Sequence, residues 1–255
     1  MKLGFCGHVD LASEVKEWGY DYIELPLAPI AQLSQNEFED ALKKLNQSGL
    51  PCLACNVFLP GSISVVGPNT NQGICAQYAE KALSRAAALG AKIVVFGSAG
   101  SRNIPAGFSY QRALVQIRDF AILAADAAKK YDITVLMEPL NSTESNVINK
   151  VSEAMMMAMA VNHPHFKVLA DTYHMEIEKE SLFALKIAGS ELRHVHVSTL
   201  LGRKIPLISD KELLTSLFAM LHSINYEGNI SIEAGFRKDQ ASEAKECLGL
   251  MRSLL

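Results

Sequence analysis

The chain has no excess of either charge: 24 Lys and Arg against 27 Asp and Glu leave a net charge of −3 over 255 residues. Without a basic footprint there is no field to hold a polyanion, which argues against a dedicated nucleic-acid binder. No run approaches the roughly 18 apolar residues of a membrane-spanning helix. The longest uncharged stretch, between Lys44 and Glu80, is interrupted by Gly, Pro, Asn and Gln and reads as strand plus loop. The opening Met1-Lys-Leu-Gly-Phe-Cys-Gly7 is too short and too broken for the apolar segment of a secretory leader. Cysteines are few and odd in number, five in all, so reduced thiols in the cytoplasm are expected. Cys52 and Cys55 make a lone C-x-x-C with no second pair to complete a zinc site. In a regular strand their side chains would point to opposite faces. No G-x-G-x-x-G follows the first strand, which removes the phosphate-binding turn of a dinucleotide fold. No break in composition divides the chain, and one domain over residues 1–255 is expected.

What is present is an ordered α/β pattern. Hydrophobic residues make up 49% and charged residues 20%, enough for a large core and incompatible with disorder. Short apolar runs alternate with longer helical ones from end to end. Strands are predicted at 2–6, 22–24, 53–57, 93–96, 134–138, 166–171, 194–198 and 229–233. Helices are predicted at 11–18, 36–47, 71–89, 110–131, 151–161, 181–188, 210–224 and 241–254. Gly49, Gly90 and Gly189 follow helical runs as C-terminal caps, and Ser34 and Ser181 are placed to open them. Alternating units of this kind favour parallel strands with right-handed crossovers. Eight of them predict a closed (β/α)8 barrel, the α/β class of about 250 residues.

Catalytic side chains of such barrels come from the C-terminal ends of the strands. The second half of this chain places a metal-competent residue there four times running: Glu138 before Pro139, Asp171, His196 and Glu233. The spacings, 33, 25 and 37 residues, each fit one loop, one helix and one strand. Period-two alternation puts Glu138 inward with Thr134 and Leu136, His196 inward with His194 and Ser198, and Glu233 inward with Asn229 and Ser231. Taken singly, each has an ordinary explanation, since a strand-end acid is usually a cap or a surface charge and a buried His a satisfied core group. In phase in four consecutive units, they converge on one mouth. Three unneutralised acids there would cost several kcal/mol or force protonation, and one divalent cation relieves this. The oxygen-rich set favours Mn²⁺, Mg²⁺ or Co²⁺, although Zn²⁺ binds such shells too. Elsewhere, the Gly97–Arg102 segment reads as a strand-to-helix loop, and Met155, Met156, Met157 and Met159 as one buried helix face.

Glu138-Pro-Leu-Asn141 with Glu144, Asp171-Thr-Tyr-His174-Met, His194-Val-His196-Val-Ser198 and Ser231-Ile-Glu233 together resemble the sugar phosphate isomerase/epimerase superfamily. This is the xylose isomerase-like TIM barrel group, with ketose 3-epimerases, hydroxypyruvate isomerase and inositol-catabolism enzymes among its members. Asn56–Gly61 and Arg102–Gly107 look like its loops. The resemblance implies metal ligands Glu138, Asp171, His196 and Glu233, with Glu138 and Glu233 doubling as the acid/base pair on opposite faces of a small carbohydrate. It implies substrate contacts by Glu144, His174 and Arg203, and relatives that are often homo-oligomers. Departures are Ser142-Thr143 where an Arg and an aromatic are common, Ser198-Thr199 after the strand-seven histidines, and Arg203 one residue later than usual. These affect substrate recognition more than the metal. The implied reaction is proton abstraction beside a carbonyl through an enediolate, giving epimerisation or isomerisation. An inosose dehydratase and a catalytically silent sugar-binding protein are the alternatives. An endonuclease IV-type nuclease is disfavoured, because the strand-seven loop lacks the Asp-x-His its metal cluster requires.

Overall fold

The apolar runs pair in the order in which they occur. In the computed structural model, which describes residues 1–255, the strands are β1 (Leu3–Cys6), β2 (Tyr22–Pro26), β3 (Cys52–Asn56), β4 (Ile93–Phe96), β5 (Thr134–Met137), β6 (Phe166–Asp171), β7 (Leu192–Val197) and β8 (Asn229–Ile232). Each is parallel to the next, and β8 returns to β1 through Leu3↔Ile230, closing a barrel in sequence order. No helix is long and apolar enough to cross a membrane.

Alternation along the strands builds two separate apolar clusters. Val135, Met137, Val195, Val197, Ile230 and Ile232 face outward and pack under the helices. Val95, Leu136 and Leu169, with Ile93, form a small plug inside the ring. Beside this plug the interior is polar, with Tyr22, Glu24, His194, His196 and Ser231 each 0% exposed. A barrel interior occupied by long polar side chains is expensive unless those groups satisfy one another, and this layer underlies the site.

Local sequence sets the helix boundaries. Ser34 caps the Gln35–Ser48 helix in a reciprocal capping box with Glu37, and Asn71 and Ser109 accept from backbone N–H groups at the starts of Gln72–Leu89 and Tyr110–Lys129. Such caps are each worth about 1 kcal/mol. Gly90 ends its helix at φ 96°, a left-handed conformation that side chains resist. Ser181 does not cap its helix as predicted: the helix is Phe183–Ala188 with Leu182 at its N-cap, and the Ser181 hydroxyl accepts from Phe183 N–H at 3.2 Å one residue outside it.

Three features depart from the sequence reading. Short helices at Leu27–Gln32, Ala99–Arg102 and Thr172–Ile177 lie in segments read as loop. Cys52 and Cys55 do not face opposite ways; their sulfurs are 3.9 Å apart. The cause is a bulge: Ile23 pairs with Cys52 but Glu24 with Ala54, so Leu53 is the extra residue and the alternation slips by one. The methionine cluster is not uniformly buried either. Met157 is 6% exposed, while Met156 and Met159 stand 62% and 72% exposed on the outer side of the same helix.

Gly4 marks a tight point of the interior, since a Cβ there would fall within the Tyr22 ring. Gly4→Ala is therefore expected to destabilise the chain by about 1–3 kcal/mol through overpacking, read as a lower Tm; an unchanged Tm would contradict this packing.

Candidate functional site

Four strand ends meet at the C-terminal mouth. Glu138 follows β5, and its backbone N–H reaches Phe96 O at 3.3 Å. A Cβ on neighbouring Gly97 would overlap the Glu138 Oε2 position, so this carboxylate occupies space that only glycine leaves. Asp171 ends β6, and its Oδ1 accepts from Tyr173 N–H at 2.7 Å, capping the short helix that follows. His196 lies within β7, and Glu233 follows β8 with its N–H on Val197 O at 3.2 Å. One donor atom from each of Glu138, Asp171, His196 and Glu233 lies within 4.8 Å of the others. Three of these residues are buried, and Glu233, its side chain 23% exposed, forms the open rim.

So many acids in one place need positive charge. Arg203 Nη2 donates to Asp171 Oδ2 at 2.9 Å and to Glu233 Oε2 at 2.5 Å, with its guanidinium 4.8 Å above the Tyr173 ring. His196 Nδ1 lies 3.1 Å from Glu233 Oε2 and 3.3 Å from Glu138 Oε1. Burial alone would lower the His196 pKa, but Glu24 and Glu233 raise it well above the ordinary value. Burial opposes ionisation of Glu233 too, yet His196 and Arg203 bring it down to about 2. Asp171 goes the other way. Its burial, added to by Glu233 and Glu138 and only partly offset by His174 and Arg203, pushes it up to about 6. Three carboxylates and one imidazole crowded together are a donor set that suits a hard divalent cation.

The remaining predicted residues border this cluster. His174 is 1% exposed, and its Nδ1 accepts from Asn141 backbone N–H at 3.1 Å. The ring N–H is therefore on Nε2, which is buried without a partner and 3.7 Å from Asp171 Oδ2. Glu144 is exposed on the loop after β5, and its Oε1 accepts from Asn141 Nδ2 at 3.0 Å. Arg203 sits at φ 49° in the loop after β7, which is fastened to the loop after β8 by Gly235 N–H on Arg203 O at 2.9 Å. Arg102 is fully buried, with its guanidinium over Phe96 at 5.9 Å.

Three residues had been given no role. Asn56, at the end of β3, donates from Nδ2 to Glu233 Oε1 at 2.8 Å. Asn141 joins Glu144 to His174. Glu24 accepts from His194 and His196 inside the barrel. An acid amid apolar neighbours, Tyr22-Ile-Glu-Leu25, was the available signal for Glu24. His194 faces inward as expected but meets Glu24 at 2.8 Å and stays outside the four-residue cluster.

A closed parallel barrel with a carboxylate–imidazole cluster at its C-terminal mouth defines a class of protein. The family described as xylose isomerase-like TIM barrel matches residues 12–254, and the chain belongs to it. It is 24% identical over 250 residues to 3-dehydro-D-guloside 4-epimerase of Escherichia coli, covering 94% of this chain and 92% of that one. It is also 30% identical over 131 residues to a ketose 3-epimerase of Arthrobacter globiformis; that match covers 51% of this chain and 45% of the relative. This chain thus aligns with less than half the length of that relative. A crystal structure of 3-keto-D-glucoside 4-epimerase from E. coli superposes with a TM-score of 0.84 at 22% identity, covering 99% of each chain, a likeness of fold alone. Membership alongside such relatives supports an isomerase-class enzyme.

The Asp171 shift has a sign that stability measurements read directly. A folded pKa of about 6 lies above the unfolded value near 3.9, so ionisation costs stability as pH rises between them. In the presence of a chelator, Asp171→Asn is expected to melt above the wild type at pH 7.5, with the difference vanishing near pH 4. A variant that melts below the wild type at pH 7.5 would contradict this electrostatic account.

Proposed function

We propose that the chain is a divalent-metal-dependent sugar epimerase, acting as one domain over residues 1–255 on a small carbohydrate bearing a carbonyl group. The observation that carries this reading is the convergence of Glu138, Asp171, His196 and Glu233 within 4.8 Å. Named epimerases among the relatives act on keto sugars, which supports the same substrate class here. These four residues would hold the ion, with Mn²⁺ favoured by the oxygen-rich donor set. When bound, it supplies Lewis acidity toward the substrate's carbonyl and neighbouring hydroxyl oxygens.

The chain's own groups then divide the work. Glu138 and Glu233 hang from β5 and β8, with β6 and β7 between them, so they approach a molecule in the mouth from different sides. One carboxylate takes the proton from the carbon beside the carbonyl, and the C–H electron pair moves into the enediolate. The other side returns a proton to the same carbon with inverted configuration. Return to the neighbouring carbon would give isomerisation instead. Asn56 holds Glu233 Oε1 at 2.8 Å and leaves Oε2 directed into the cluster. His174 offers its Nε2–H, Arg203 its guanidinium and Glu144 its carboxylate to substrate oxygens, so the mouth provides donors and acceptors on both sides of the reacting carbons.

In D₂O with Mn²⁺ and a panel of free and phosphorylated ketoses, the wild type is expected to place deuterium at one carbon next to the carbonyl. Glu138→Gln and Glu233→Gln are each expected to lose at least about 10²-fold in turnover while keeping the wild-type circular dichroism. Retained turnover in either variant would remove the two-carboxylate mechanism.

A further inference from the structure

The mouth is not the only place where this barrel buries charge. Glu24, in β2, is 0% exposed and projects into the interior away from the open rim. Its Oε1 accepts from His196 Nε2 at 2.9 Å, and its Oε2 from His194 Nε2 at 2.8 Å and from Ser231 Oγ at 2.6 Å. Tyr22 OH lies 2.8 Å from the same Ser231 hydroxyl. An ionised carboxylate only accepts, so both imidazoles must present Nε2–H to it. The His196 ring therefore lies between two sets of acids, with Nε2 against Glu24 and Nδ1 facing Glu138 and Glu233 at 3.3 and 3.1 Å.

We propose that Glu24 is the positioning residue that makes His196 a metal ligand through Nδ1, with His194 as the second arm of the clamp. The inference rests on the metal reading given above. A proton held on Nε2 leaves the Nδ1 lone pair as the only ring electrons free to bind a cation, and it fixes the plane of the ring. The two imidazoles meet edge to face, 5.0 Å between centroids at 82°, so turning one would displace the other. Carboxylates placed behind metal-bound histidines in this way also raise the basicity of the ligand.

An opposite arrangement has its donor residues close together. Cys6, Glu24 and His196 also have donor atoms within 4.8 Å of one another, and an ion there would take His196 through Nε2. The two arrangements use opposite nitrogens of the same ring.

Manganese titration of the full chain, followed by calorimetry, separates them. Glu24→Gln is expected to weaken Mn²⁺ binding by about 10- to 100-fold with unchanged circular dichroism, and Cys6→Ser to bind as the wild type does. Because Glu24→Gln could fail to fold, long-range ¹H–¹⁵N correlation on the Zn²⁺-loaded wild type gives an independent reading: a protonated Nε2 on His196 with its Nδ1 bound to the ion. A protonated Nδ1, or loss of Mn²⁺ binding in Cys6→Ser, would overturn the proposal. Wild-type affinity in a folded Glu24→Gln would remove this inference alone, whereas a wild type that binds no Mn²⁺ would remove it together with the metal reading.

Discussion

Like charges held close together inside a low-dielectric barrel are the constraint to which the rest of this site answers. Glu138, Asp171 and Glu233 lie near one another with little water around them, and Glu24 lies on the far side of the His196 ring. Each would lose several kcal/mol of hydration without a partner. The chain meets this with His194, His196 and Arg203: Glu24 accepts from both imidazoles, and Asp171 and Glu233 accept from the guanidinium. Asp171 is the least relieved, pushed up to about 6, while Glu233, between His196 and Arg203, falls to about 2. On electrostatic grounds this donor set suits the divalent cation proposed above.

The barrel was legible because its signals are periodic. Apolar strands of four to six residues alternate with capped helices, and Ser34 and Gly90 act as the sequence suggests. Residues at strand ends were legible for the same reason: topology dictates that they share a mouth, so Glu138, Asp171, His196 and Glu233 could be grouped without coordinates. Glu24 could not. An acid in β2 looks like a surface charge until the closed ring carries it across the barrel to two histidines 170 and 172 residues away in the chain. Asn56 was hidden in the same way, since its partner Glu233 lies 177 residues distant. The bulge at Leu53 was invisible because a one-residue slip leaves no mark in composition, and it alone explains why Cys52 and Cys55 share a side.

On the proposed reading, scaffold and specificity lie on different parts of the chain. In the proposed function the ring and its acids would supply the chemistry beside a carbonyl, while the loops after β5 and β7 and the short helix after β6 carry Glu144, Arg203 and His174, the groups that would meet the substrate. Those loops are where the sequence departs from the pattern of the epimerases it resembles, at Ser142-Thr143 and Ser198-Thr199 and in the placement of Arg203. The loop after β7 is also tied to the loop after β8 through Gly235 and Arg203. A change of substrate preference would therefore involve two strand ends together.

The central claim is that four side chains at this mouth hold one divalent ion. Titration of the chelator-treated full chain with Mn²⁺, followed by the electron paramagnetic resonance of the free ion, tests it most directly. The account predicts one saturable site per chain, strongly weakened in both Asp171→Asn and His196→Ala. A chain with no saturable site, or variants that bind as tightly as the wild type, would contradict it.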